Sequence, residues 1–168
     1  MKKTDVESAV KARYPESVCL VVVKDKKGKV SVTPAGWSML CNSKPRCWAV
    51  SLYHKHFSNK AISDTNEFVY CIPSFKQKED ILYCGEVSGW DVDKMKNTKF
   101  ETIPSNKIKP PLLKDCIACF ECKVIGKVKT PDHTIFVGEI LESYLSGRKD
   151  KVYNHGMRDL FKLKASRL

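Results

Sequence analysis

CIACFECKVIGKV, Cys116–Val128, is the stretch on which the architecture turns. Three cysteines spaced by three suggest the start of a metal or iron–sulfur site. The residues around them suggest a strand instead. Ala118, Phe120, Cys122, Val124, Gly126 and Val128 fall on alternate positions, with Cys119, Glu121, Lys123 and Lys127 between them. That period of two is the signature of a β-strand. On a strand Cys116 and Cys122 share a face but stand roughly 20 Å apart at about 3.3 Å per residue, and Cys119 points the other way. Thiolates that hold one ion must converge at about 2.3 Å from it, so the strand reading expects no metal here, the alternative being that Cys116 lies before the strand begins.

Working outward, the chain of 168 residues is expected to form one domain over 1–168, large enough to bury a core. No run of apolar residues is long enough to span a bilayer. The start, MKKTDVESAV, has lysines without an apolar stretch after them, so no secretory signal is read and a cytoplasmic location is expected. Several of the eight cysteines lie inside apolar runs such as SVCLVVV (Ser17–Val23) and FVYCIPS (Phe68–Ser74), where a free thiol behaves as a small hydrophobe in a reducing compartment. Thirty Lys and Arg against 19 Asp and Glu give a net charge of +11. The lysines are scattered through turns such as KDKKGK and SNKIKPPLLK. This favours anionic ligands in general over a nucleic-acid groove.

The element order follows from the same rules. TDVESAVKARY (4–14) reads as a helix with a Thr4/Glu7 capping box, stopped by Pro15. SVCLVVV and VSVTPAGWS flank a turn at Gly28 and make a hairpin. CWAVSLY is a further strand, SNKAISDT a helix with Ser58 as N-cap, and EFVYCIPS a strand followed by a helical piece to Tyr83. Residues 104–115 hold three of the eight prolines and read as an extended connector. CFECKVIGKVK and HTIFVGEILESYL form a second hairpin around TPD. At least six strands with short helices favour a closed or partly closed β-barrel.

Three segments carry chemistry. In SVTPAGWSMLCNSKP (Ser31–Pro45) small residues let a flat ligand approach the backbone, and Trp37 is placed to cover it. In SLYHKHFSNKAI (Ser51–Ile62) two histidines and Lys55 precede a helix start bearing Ser58, a natural phosphate site. In CGEVSGWDVDK (Cys84–Lys94) a glycine turn with Ser88 leads to Asp91, read as the cap of a short helix carrying Lys94. Neither a GxGxxG nor a Walker-type loop occurs.

Taken in order, PAGWS, HFSN, CGEVSGWDVDK, IKPPLLKDC, ECKVI and DHTIFVGEI closely resemble the flavin reductase-like, FMN-binding split-barrel family that includes the flavoredoxins. The resemblance runs from about Pro15 to Tyr144. It implies a mainly β fold, a six-stranded antiparallel Greek-key split barrel with short helices, that dimerises and binds FMN near the dimer interface. It matches the segment Ser31 to Trp37, with Ala35 and Gly36, to the family's ring-contacting turn, and Ser58 to the hydroxyl for the phosphate. Lys94 matches a flavin-contacting lysine, and His133 the histidine at the start of the last strand. Ser51, Asn59 and Ser88 complete the expected cofactor-binding set. The family commonly has arginine where His56 stands, so Lys55 or Lys60 is expected to share the phosphate's charge. The C-terminal VYNHGMRDLFKL follows the family pattern poorly.

The implied function is an FMN-dependent oxidoreductase, a flavin or ferric reductase taking electrons from NAD(P)H, with chemistry on the cofactor and no catalytic acid or base assigned. The alternative is a flavoredoxin-like carrier between proteins that never reacts with nicotinamide. A basic nucleic-acid-binding barrel is the third reading. No membrane partner is expected.

Overall fold

A computed structural model describes residues 1–156 and 159–162. A short helix α1 (Val6–Val10) and a 3-10 turn (Lys11–Arg13) lead into β1 (Glu16–Ser17). The cap of α1 is Asp5, whose carboxylate accepts from Ser8 N at 2.8 Å, rather than the expected Thr4/Glu7 box. Then come β2 (Cys19–Lys24), β3 (Val30–Ala35), β4 (Ser38–Ser43), β5 (Arg46–Tyr53), α2 (Phe57–Thr65), β6 (Glu67–Ile72) and α3 (Lys78–Glu86). A small ladder of β7 (Thr102–Ile103) and β8 (Leu112–Leu113) ties down the proline-rich connector. The long hairpin of β9 (Ala118–Lys129) and β10 (His133–Leu145) follows. β11 (Val152–Asn154) and β12 (Leu160–Lys162) then form a three-stranded sheet with β1.

The main sheet runs β3-β2-β6-β9-β10-β5-β4, antiparallel throughout. It has seven strands, one more than the expected six. The added strand, β4, is almost wholly exposed, so it carries none of the buried alternation by which a sequence betrays a strand. β3 and β4 are the two outer strands of that order, yet only Gly36 and Trp37 separate them in the chain. Three peptide steps reach at most about 11 Å. The sheet must therefore curl until its edges meet at this corner, which makes a barrel split at that seam.

Two cores lie on opposite faces of the curled sheet. Along β2, Cys19, Val21 and Val23 join Val50, Leu52, Phe68, Tyr70, Cys122 and Phe136 inside the curl. Leu20 and Val22 join Val69, Cys71, Ile81, Leu112 and Cys119 on the outer face, under α3 and the connector. Both faces are covered here, so CLVVVK is apolar at five successive positions, not alternating. Gly138 of β10 is needed for the inner packing. A Cβ there would stand 2.6 Å from Phe68 Cε1 and Cζ and 2.9 Å from Cys122 Cβ.

Two readings of the opening stretch need correction. Glu121, read only as falling between the alternating apolar positions, is fully buried. Its carboxylate accepts from the backbone N–H groups of Asn106, Lys107 and Ile108 at 2.8, 2.7 and 3.2 Å, and from Tyr144 Oη at 2.7 Å. One buried carboxylate thus folds the connector over the sheet. The strand argument also fails for Cys116. β9 begins at Ala118, two residues after it, following a left-handed turn at Asp115 (φ 64°). Cys116 and Cys119 therefore converge after all, and they do so on Cys71 of β6. The sulfurs of Cys71, Cys116 and Cys119 all lie within 4.8 Å of one another. Cys122 faces the other core. Hydrogen bonds from the Cys116 and Cys71 thiols push the Cys119 thiol down, while burial raises that of Cys71.

Candidate functional site

The seam between β3 and β4 is where the chemistry-bearing segments meet. Two cavities open there and share Pro34 and His56 in their walls. The first, of about 320 Å³, is bounded by Ala35, Gly36 and Trp37 of the corner, Ser51 and Tyr53 of β5, His133 of β10, and Arg13 and Tyr14. The second, of about 220 Å³, is bounded by Thr33, Phe57 at the start of α2, the run Cys84–Gly89, and Lys94.

Residues 80 positions apart in the chain share the first cavity because β5 and β10 are register partners, with Ser51 opposite Ile135 and Tyr53 opposite His133. The corner is pinned to β5 by Ser51 N donating to Trp37 O at 2.9 Å. Trp37 stays half exposed, its ring centroid 4.9 Å from that of His133 and the Arg13 guanidinium 5.6 Å from its own. His133 Nδ1 lies 2.8 Å from Asp132 Oδ1, and this contact holds the Asp132 carboxyl below the ordinary carboxylate range. The approach to Gly36 is taken by an unexpected neighbour. The Glu16 carboxylate sits where a Cβ of residue 36 would be, held by Arg13 at 2.7 Å and Asn154 at 3.2 Å.

Lys94 is the charged group of the second cavity. Its side chain is buried and its ammonium donates to Val32 O at 3.0 Å and Cys84 O at 2.7 Å, which uses two of its three donors. Burial lowers its pKa. The segment around it is a series of turns, not the short helix expected, and the capping carboxylate is Asp93, not Asp91. Asp93 Oδ1 accepts from Met95 N at 3.1 Å. Ser88 Oγ accepts from Trp90 N at 3.1 Å. Gly89 must be glycine, since a Cβ would stand 2.7 Å from Ser31 Oγ and 3.0 Å from Phe57 Cβ. Lys29, which no motif singles out, donates to Gly89 O and lies over the Phe57 ring.

The start of α2 differs from expectation. Its N-cap is His56, without a side-chain capping bond, and Ser58 is the second helical residue. Ser58 is fully buried and lines neither cavity. Its Oγ and that of Ser31 are nonetheless buried without a hydrogen-bond partner among the described residues, the Ser31 hydroxyl lying against Gly89. Asn59 is structural, donating to Leu52 O at 2.9 Å. The histidine ring is partly enclosed, and its pKa is lowered first by desolvation and then by Lys94 and His133. Of the expected set, then, Ala35, Gly36, Trp37, Ser51, His56, Ser88, Lys94 and His133 come together, while Ser31, Ser58 and Asn59 stand behind the walls. Arg13, Tyr14, Glu16 and Asn154 were missed because they arrive from segments without a motif, and Thr33 and Tyr53, inside the quoted segments, were not singled out there.

An uncharacterised protein of Archaeoglobus fulgidus is 30% identical over 164 residues, covering 95% of this chain and 92% of its own. Among solved structures, a flavoredoxin from Methanosarcina acetivorans superposes with a TM-score of 0.88 at 24% identity, covering 99% of this chain and 94% of that one. An FMN-binding protein from Thermus thermophilus, solved with p-hydroxybenzaldehyde, gives 0.88 at 20% identity, covering 100% and 99%. The family model described as flavin reductase like domain matches residues 11–161, and with the seam-split barrel and the cleft at its corner this places the chain in the flavin reductase-like family.

Proposed function

We propose that the protein binds FMN in the corner cleft and works as an NAD(P)H-dependent flavin or ferric reductase. One observation carries the reading. An aromatic, glycine-cornered cavity and a cation-lined cavity join through shared walls at Pro34 and His56, a shape and polarity suited to a flat ring with an anionic tail. The residues fit the group on a second count, since the orphaned Ser31 hydroxyl lies against Gly89, a wall of the second cavity. FMN, when bound, supplies the electron-transfer chemistry.

The chain's own residues would bind and tune. Lys94, already desolvated, would offer positive charge to the anionic parts of the cofactor without reorganisation, and His56 would take up a proton beside them. Trp37, Tyr53 and His133 flank the ring and exclude water. Arg13 neutralises Glu16, which would otherwise oppose negative charge near Gly36. The exposed edge beside the cleft, with Met39 62% and Leu40 51% accessible next to Trp37, supports a homodimer closing over the site. Sedimentation is expected to give twice 19.1 kDa, and a lone protomer at micromolar concentration would count against this closure.

The test is anaerobic mixing of FMN-loaded protein with NADH and NADPH while the oxidised-flavin absorbance is followed. Bleaching within seconds is the expected result. Riboflavin, lacking the phosphate, is expected to bind much more weakly than FMN. A net charge of +11 favours an acidic protein as electron partner. If nicotinamide leaves the flavin oxidised but a reduced acidic carrier protein bleaches it, the flavoredoxin-like reading replaces the reductase.

A further inference from the structure

Cys71, Cys116 and Cys119 form a cluster on the outer face of the sheet, in the core beneath the connector and not among the walls of the cleft. Cys71 and Cys119 are register partners on β6 and β9, with their sulfurs 3.2 Å apart. Cys116 comes in from the loop between β8 and β9, and no more than 4% of any of the three is exposed. From the geometry of these three sulfurs we propose a binding site for one soft, thiophilic d¹⁰ ion in three-coordinate geometry, with monovalent copper as its best occupant.

Three thiolates in a plane, each about 2.3 Å from a central ion, lie about 4 Å from one another. That spacing falls within the 4.8 Å envelope of the cluster, so only the Cys71–Cys119 pair has to open, by less than about 1 Å. No fourth Cys, His, Asp or Glu joins the group among the described residues. An ion content with three soft ligands suits Cu(I) over Zn(II), which asks for a fourth. Leu113 O lies 3.5 Å from Cys119 Sγ, and the side-chain donor at hand is Gln77 Oε1, 3.4 Å from Cys116 Sγ. That oxygen is hard, and it already accepts from Ser74 N at 3.1 Å. The cluster is also reachable. Asp115, next to Cys116, is a partly exposed surface residue held by Lys76 at 2.8 Å and Arg148 at 3.1 Å, so an ion reaches the cluster when these ion pairs and the backbone bonds of Lys114 and Ile117 open locally.

The test is an anaerobic titration of the reduced, FMN-loaded chain with Cu(I) against a chromophoric Cu(I) chelator, with a parallel arm using Zn(II). The expected result is one Cu(I) per chain, with near-ultraviolet sulfur-to-copper absorption and an unchanged flavin spectrum. Cys116→Ala and Cys119→Ser should each abolish that equivalent, while Cys41→Ser, at an exposed cysteine, should leave it intact. A retained flavin spectrum shows that each variant has folded, and Cys116→Ala, on the loop, is the variant least able to disturb the sheet. Binding of neither ion, or Cu(I) lost with Cys41→Ser and not with the cluster variants, would overturn the site. Zn(II) bound in preference to Cu(I) would overturn the three-coordinate assignment. So would a Cys71–Cys119 disulfide in protein alkylated as it unfolds.

Discussion

The corner cleft and the thiol cluster are both assembled from distant segments, but by opposite physics. The cleft lies where the sheet fails to close, so charge can gather along it: His56 is exposed and Lys29 half-buried, Lys94 is buried in its wall, and Trp37 is half exposed. The thiol cluster lies where both faces of the sheet are covered, and its polarity is satisfied by sulfur contacts, Gln77 and the Leu113 carbonyl. An open seam can hold charge cheaply. A sealed face can hold only groups that satisfy one another.

The largest effect is expected from unsealing that face. Glu121→Ala removes the acceptor of three backbone N–H groups and the Tyr144 hydroxyl and leaves buried donors unpaired, so a loss of at least about 3 kcal/mol is expected in urea unfolding. If the loss is below 1 kcal/mol on that scale, the connector is held by something other than this carboxylate. Lys94→Met tests the open side. It should weaken FMN by about 1.5–3 kcal/mol, read by flavin fluorescence, with the flavin potential lowered. Equal affinity in the variant would make Lys94 a tether for Val32 and Cys84 and nothing more.

Smaller effects sharpen the contrast. Trp37→Ala should cost about 1 kcal/mol of FMN affinity through lost ring contact, and it should scarcely move the unfolding midpoint, because the side chain is half exposed. A pH effect should be smallest. The His56 pKa is lowered in the free protein, and a bound phosphate dianion raises it again. Proton uptake then accompanies binding, so affinity is fully present below the free-protein pKa and is lost as pH rises through that of the complex. Dissociation constants measured between about pH 5 and 8 should rise with pH in the wild type and stay flat in His56→Gln. A flat wild-type profile would move the phosphate away from His56.

Much of this was legible in the residues. Alternating or β-branched apolar runs located β2, β3, β5, β6, β9 and β10, and the ordered motifs from PAGWS to DHTIFVGEI located the cleft. Local pattern could do this because alternation and turn chemistry are decided over a few neighbours. Three other features were out of its reach. β4 has no buried face to announce it, Glu121 reads as a surface residue until the connector folds over it, and Cys116 reads as a strand residue until the turn at Asp115 lifts it off β9. By itself, then, the sequence determined the strands, the barrel class and the polarity of the cleft. Only the tertiary structure decided that Cys71 stands opposite Cys119 with Cys116 above them, and that Arg13 and Glu16 reach Gly36. Register between distant strands and the path of a loop are set by the packing of the whole chain, and no short stretch of residues encodes them.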